Sequence, residues 1–280
     1  MVVAKRRKGL PGAALGMLLS LLGTSAAPAS GQTPPPTQAG DESTSTDAAR
    51  ATPWPVKVVI VTTYENGVDT GDTPGELQLW AERENLAERL DFPGGVRPLL
   101  TNSDHSVVAM VTGMGLVNSG ASVMALAFDR RFDVSKAYWL VAGVAGIDPE
   151  AGAIGDAAWA DYVINDLAKS MDMREAPADW PYGIYPFRSQ KAGQMPEQKL
   201  EYGPLARYAQ VFPLNAGLMR WAYARTKDIE LDLTPEMAEF AKQWSDYPKT
   251  QQPPQVRIGA SLASNHYWHG KAGTQWARDW

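Results

Sequence analysis

The sequence predicts an α/β fold, a sheet of largely parallel strands with helices packed on it. Three observations carry that prediction. Residues 56–62 (VKVVIVT) form a nearly continuous β-branched run of strand length, as in a strand covered on both faces. Residues 106–112 (SVVAMVT) repeat the pattern and lead straight into Gly113-Met114-Gly115 and then into helical spacing at Val117, Ala121, Met124 and Phe128. Residues 138–141 (YWLV) are expected to make a third, buried strand that ends in the small-residue stretch 142–149 (AGVAGIDP). Strand, helix and strand in that order are βαβ units.

The N-terminus comes before any of this. Lys5, Arg6, Arg7 and Lys8 are followed by an apolar run over residues 10–22, then Ser25-Ala26-Ala27-Pro28-Ala29. A basic start, a short apolar stretch and a small-x-small site make a secretory leader, with cleavage expected after Ala29. The apolar run is 13 residues long, and a membrane-spanning helix needs roughly 20. Residues 30–53 are rich in Pro, Thr, Ser, Gln and Gly and have little to bury, so they are expected to be a disordered tether. Folding is expected to begin near Trp54.

After the first strand a polar loop, residues 65–72, precedes Thr73-Pro74-Gly75-Glu76. Thr73 as cap, Pro74 at the first helical position and Glu76 closing a capping box predict a helix running to about Leu90, before Pro93-Gly94-Gly95. A further strand is expected over residues 156–164. Residues 176–203 mix Pro, Gly and aromatics without period and are expected to be a long loop. Helices are expected over residues 215–227 and from Thr234-Pro235-Glu236 to about Trp244. A late strand is expected over residues 256–262 and a last helix over residues 271–280. The sequence stops inside that helix, which suggests a truncated C-terminus.

Composition excludes several classes of function. The chain of 280 residues is 44% hydrophobic and 20% charged, ordinary for a globular protein. With no cysteine there is no disulfide, thiolate metal site or Cys nucleophile. Three histidines make a His-rich metal centre a poor expectation. Loss of the leader leaves 22 basic against 31 acidic residues, a net charge near −9, which argues against non-specific nucleic-acid binding.

Three places could carry chemistry. In the Gly113-Met114-Gly115 turn the glycines let backbone N–H groups approach an anion at a helix N-terminus. The same turn serves equally as a tight strand-to-helix connection without ligand. The strand end carrying Gly143 and Val144 is where ligands bind in open α/β sheets, and equally where backbone packs closely on backbone. Asn265-His266-Tyr267-Trp268-His269 gathers flat rings and imidazoles after a strand, either as a platform for a heterocyclic base or as aromatic core. His266 and His269 have no third ligand nearby, so no metal is expected. No strained Gly-x-Ser-x-Gly elbow is present, so a hydrolase of that kind is not expected.

Taken together, the blocks VTGMGLVNSGASVMALAFDRRFD (111–133) and YWLVAGVAGIDPEAGAIGDAAWADYV (138–163) resemble the bacterial and fungal purine nucleoside permease family. The opening VKVVIVTTYENGVDTGDTPGELQLWAERE (56–84) and the late YWHGKAGTQWARDW (267–280) resemble it too. That family is similar to the nucleoside phosphorylase and nucleosidase superfamily. The resemblance implies a single-domain α/β/α sandwich of nucleoside phosphorylase type over residues 54–280, with the C-terminal part missing. It implies nucleoside uptake, with a purine nucleoside as ligand and a homo-oligomer compatible with the fold. The alternative it implies is a phosphorylase or nucleosidase cutting the N-glycosidic bond.

The resemblance assigns roles residue by residue. Gly113, Gly115 and Asn118 match the turn near the phosphate or water site. Gly143 and Val144 match the strand end, where nucleosidases carry a serine in place of Gly143. Tyr267, Trp268 and His269 match the segment that covers the base. Glu76 matches an acid near the first helix and is the one catalytic candidate. The ribose-binding Met-Glu segment and the acid that protonates the departing base are expected beyond Trp280. No cofactor is expected, with phosphate the one co-substrate the resemblance admits. After the leader no apolar run is long enough to span a membrane, so the expected work is to bind or cleave a nucleoside in the exported compartment.

Overall fold

The structure, a computed structural model, describes residues 52–165, 168–170, 172, 174–175, 184–186, 211–263 and 270–279. The expected leader, the tether, most of the expected loop 176–203 and the aromatic segment 264–269 lie outside these residues. The chain is mixed α/β, as its periodicities predict, and divides into two compact units. One comprises the chain up to Thr112 with Gly120–Val141, the other Gly113–Ser119 with Ala142–Trp280.

The first unit opens with β1 (Trp54–Pro55) and β2 (Val58–Thr62). Val59, Ile60 and Val61 are all buried, as an apolar run without alternation requires. After the 65–72 loop comes α1 (Gln78–Arg83), then β3 (Glu88–Leu90), β4 (Leu99–Thr101) and β5 (Val107–Val111). α2 (Leu116–Ala127), β6 (Phe132–Asp133) and β7 (Tyr138–Val141) follow. The sheet order is β3-β4-β5-β2-β7. β2 runs parallel to β5 and β7, and β4 runs antiparallel to both its neighbours. β1 and β6 pair separately, Trp54 opposite Phe132. Val56, Val59, Val61, Phe92, Leu99, Val108, Met110, Leu126 and Phe132 form the core. Each large side chain so buried contributes about 1.5–3 kcal/mol.

Three expectations are corrected here. The first helix does not reach Leu90. Asn85 has φ of 51° and ends α1, with the Leu86 N–H donating to the Ala81 carbonyl at 2.9 Å, so the chain turns into β3 instead. Second, the apolar stripe of α2 faces outward: Val117 and Phe128 are 84% and 75% exposed, while Ser122 and Leu126 are buried. The helix is apolar over most of its circumference, and its small residues decide which face seats. Ser122 Oγ donates to the Thr112 carbonyl at 3.0 Å, and a Cβ on Gly94 would lie 2.6 Å from that of Ala125. Third, β7 is the edge of its sheet among the described residues, with Tyr138 and Val141 exposed rather than buried.

The second unit holds β8 (Ala157–Asn165), β9 (Ala168–Ser170), β10 (Ile184–Pro186) and β11 (Val211–Pro213). α3 (Ala216–Thr226), α4 (Pro235–Ala241), β12 (Val256–Ala263) and α5 (Gly270–Asp279) complete it. β8 is central, flanked by β11 antiparallel and β12 parallel, and β9 pairs with β10. α3 and α4 both start on side-chain caps, and the Thr234-Pro235-Glu236 start is the one the sequence predicts. Asn215 Oδ1 accepts from Leu218 N at 2.9 Å, and Thr234 Oγ1 from Met237 N at 3.2 Å with Pro235 in the first turn.

Candidate functional site

In the first unit the chemistry gathers where β2 ends. The predicted capping box is not what starts α1. Its capping position is Leu77, which has no side-chain cap. The orphan N–H groups are taken instead by Glu65, from the far side of the loop. Glu65 Oε2 accepts from Leu77 N at 2.7 Å and Gln78 N at 2.6 Å, and Oε1 accepts from Asn66 N at 2.8 Å and from Gly75 N. A carboxylate at a helix N-terminus satisfies the donors and complements the helix dipole. Gly75 permits the approach, because a Cβ there would lie 2.8 Å from Cα of Glu65. The loop is pinned from outside as well. Arg97 donates to Asp69 Oδ1 at 2.9 Å and to the carbonyls of Glu65 and Gly67, and Arg89 also pairs with Asp69.

Glu76, the catalytic candidate, turns back to the strand end. Its Oε2 accepts from Thr63 N at 2.7 Å and Thr63 Oγ1 at 2.8 Å. This buried carboxylate is an acceptor locked to the backbone that leaves β2. Beside it, burial raises the Tyr64 hydroxyl pKa above its ordinary value, and the charges of Glu76 and Glu65 add to that. The pair of buried acids is the feature that sequence reading only half found. Glu76 was legible as a first-turn acid, whereas Glu65 lies in a polar loop with nothing local to mark it.

In the second unit Gly113 and Gly115 have φ of 81° and 93°, the left-handed region that favours glycine, so the turn demands both residues. No atom lies within 4 Å of where a Cβ on Gly115 would sit, so the turn is open on that side. Asn118 is exposed, and its Nδ2 donates to the Met114 carbonyl at 2.9 Å. Ser119 N donates to the Gly115 carbonyl at 3.0 Å and closes the first turn of α2. The arrangement presents a helix N-terminus of an element twelve residues long beside a backbone held in left-handed turns.

Gly143 and Val144 belong to the same unit, in irregular backbone that leaves β7, and both are exposed. The stretch ends at Asp148, whose Oδ1 accepts from Glu150 N at 3.0 Å and whose carbonyl accepts from Ala151 N at 2.8 Å. Asp148 is held from α5. Arg278 Nε donates to Oδ2 at 2.6 Å and Nη2 to Oδ1 at 2.7 Å, while Nη1 pairs with Glu150 at 2.8 Å. The Arg278 donors hold the Asp148 carboxyl below the usual carboxylate range. A depressed acid contributes stability at neutral pH that is lost only as the pH falls below about 4. A second pair ties the starts of β8 and β12. Asp156, its side chain 1% exposed, accepts from Arg257 Nε, from Gln255 N at 2.7 Å and from Ala153 N at 3.0 Å. Both pairs join residues about a hundred or more apart in sequence, and no local pattern marks them.

The structure therefore places Gly113, Gly115 and Asn118 in one turn and brings Gly143 and Val144 to a loop fastened to α5. Tyr267, Trp268 and His269 lie outside the described residues, in the six-residue connection from β12 to α5. Among the described residues no group of three or more His, Asp or Glu side chains is gathered as a metal ion would need. No helix among them is long and apolar enough to cross a membrane.

Comparison with known proteins completes the description of the site. The family model described as purine nucleoside permease matches residues 55–280. A probable purine nucleoside permease of Schizosaccharomyces pombe is 26% identical over 177 residues, 60% of this chain and 49% of the relative. A purine nucleoside permease of Candida albicans is 26% identical over 205 residues, 70% of this chain and 48% of the relative. The chain thus spans about half the length of the curated relatives it matches. No solved structure matches it.

Proposed function

The chain belongs to the purine nucleoside permease family, and from that premise we propose that it binds a purine nucleoside as a component of nucleoside uptake. The observation that carries the reading is the match from residue 55 to residue 280, which takes in all three candidate segments. The ribose or a phosphate sits over the Gly113–Gly115 turn and the N-terminus of α2, with Asn118 at its edge. Gly143 and Val144 form the floor at the strand end. Tyr267 or Trp268 stacks on the base and His269 reaches its polar edge. Glu76 is an acceptor near the first helix.

The proposal extends to the setting. Residues 1–29 direct export and are removed, residues 30–53 tether the folded part, and residues 54–280 adopt the α/β/α sandwich of nucleoside phosphorylase type. No cofactor is required, and a homo-oligomer is compatible with the fold. Binding without cleavage follows from Gly143. Where a serine hydroxyl would hold the nucleophile, this chain has none, and poor positioning can remove much of the roughly 7–11 kcal/mol that orientation contributes.

The test is incubation of the protein with inosine, adenosine and guanosine, with and without phosphate. Saturable binding with little or no release of free base is expected, and no strong phosphate dependence. Base release at roughly 1 s⁻¹ or faster would overturn the binding reading.

A further inference from the structure

We propose that Arg97 is a positioning residue for the nucleoside site, clamping the loop between β2 and α1 so that the Glu76 carboxylate stays at the carboxyl end of β2. The proposal rests on the binding reading above, in which Glu76 is an acceptor. It adds to that reading a residue that acts on Glu76 through the loop.

All the residues concerned belong to the first unit. β2 lies between two parallel neighbours, β5 and β7, and the carboxyl ends of such strands are where open α/β sheets take ligands. The loop that leaves β2 there has both its ends at one place. The Glu76 N–H donates to the Tyr64 carbonyl at 3.3 Å, and Glu76 Oε2 accepts from Thr63 N at 2.7 Å and Thr63 Oγ1 at 2.8 Å. Residues 65–75 are therefore closed at the neck, the form of a compact Ω-loop. Glu65 brackets Glu76 from across that neck. Its carboxylate accepts from Gly75 N, immediately before Glu76, and from Leu77 N and Gln78 N, immediately after it. The main chain at Glu76 thus lies where the main chain at Glu65 puts it.

Arg97 fixes the main chain at Glu65. Its Nη2 donates to the Glu65 carbonyl at 2.9 Å and the Gly67 carbonyl at 3.1 Å, and its Nη1 to Asp69 Oδ1 at 2.9 Å. Three acceptors on three residues of the loop meet one planar guanidinium, an arrangement that the point charge of a lysine cannot reproduce. Arg97 stands two residues before β4, whose Leu99 is wholly buried, so the clamp is anchored to the core. Its side chain is 26% exposed, against 55% for Arg89, so water competes less at Arg97. Arg89 pairs with the same Asp69 but, among the described residues, with neither carbonyl. Asp69 is buried and keeps Arg89 when Arg97 is replaced, so that replacement leaves no bare buried carboxylate.

The experiment uses the full chain with inosine as probe and the variants Arg97→Gln, Arg97→Lys, Arg89→Gln, Glu76→Ala and Arg97→Gln combined with Glu76→Ala. Inosine affinity is measured by calorimetry, and amide exchange of the free protein is read residue by residue by NMR. Arg97→Gln is expected to lose roughly tenfold in affinity, the equivalent of one hydrogen bond to a charged group. Arg97→Lys, which keeps the charge but not the fork, is expected to lose less. Arg89→Gln removes the exposed partner of Asp69 and is expected to stay within about twofold of wild type. The double variant is expected to be no weaker than Glu76→Ala alone, because Arg97 acts through Glu76. In the free Arg97→Gln protein the Thr63 amide, which Glu76 holds, is expected to exchange faster while the amides of β4 and β5 keep their protection. Equal losses in Arg89→Gln and Arg97→Gln, or losses that add in the double variant, would overturn the proposal. If the wild-type protein does not bind inosine the nucleoside reading falls, and the Thr63 amide then decides whether Arg97 holds Glu76. Unaltered exchange at Thr63 overturns the proposal whether or not inosine binds.

Discussion

A single carboxylate does the work that a capping box was expected to do. Glu65 is buried and accepts four backbone N–H bonds, two of them from Leu77 and Gln78 at the start of α1. A helix of six residues has little stability of its own, so its start depends on that acceptor. Replacing Glu65 with Gln leaves one acceptor oxygen and turns an N–H₂ group toward donors. Hydrogen bonds to a charged group contribute about 1.5–3 kcal/mol, and the loss is expected to fall in that range. For a folded part of this size that corresponds to a drop of about 4–10 °C in melting temperature. A melting curve that superimposes on wild type would show that the cap lies elsewhere. Glu76 contrasts with it, because its Oε2 accepts from Thr63 N and Thr63 Oγ1 and so ties the start of the helix to the end of β2.

Elements end where a residue permits a left-handed turn or supplies a cap. At the end of α1, Asn85 takes φ of 51°, which costs a residue with a Cβ about 1–2 kcal/mol and glycine almost nothing. Asn85→Gly is therefore expected to raise stability slightly, by about 0.5 kcal/mol, and Asn85→Val to lower it by about 1 kcal/mol or more. Urea denaturation of both variants checks the pair, and an order reversed from this would contradict the turn assignment. Asn85 is a weak signal in the sequence, flanked by helix formers, and only its left-handed backbone shows that the first helix stops there. β3 and β4, three residues each, are too short to display a period and become strands by pairing with each other and with β5. The longer strands β2, β5 and β12 announced themselves, because five or more residues in one environment leave a readable pattern.

At the scale of the whole molecule the distribution of charge is the informative quantity. All four basic residues of the first eight precede the first acid, Asp41, and removing them takes the net charge from −5 to near −9. A net charge of that size would be repelled by nucleic-acid phosphates. If residues 1–29 are removed on export, as proposed, mass spectrometry of the exported fraction is expected to show an N-terminus at Ser30. Intact protein beginning at Met1 in that compartment would contradict cleavage.

What the sequence by itself determined is local. The α/β class, the long strands, the Thr234 cap and the glycine turn all depend on side-chain period or on contacts within a few residues, and these are written along the chain. The family follows from the same blocks read in order. The tertiary structure alone decided which stripe of α2 is buried, that β7 lies at an edge, that Glu65 starts α1, and that Asp148 and Arg278 meet across 130 residues. Each of those depends on which surface packs against which. Periodicity records that a face is apolar or a residue charged, but the partner is chosen by close packing and hydrogen-bond geometry between segments far apart in sequence.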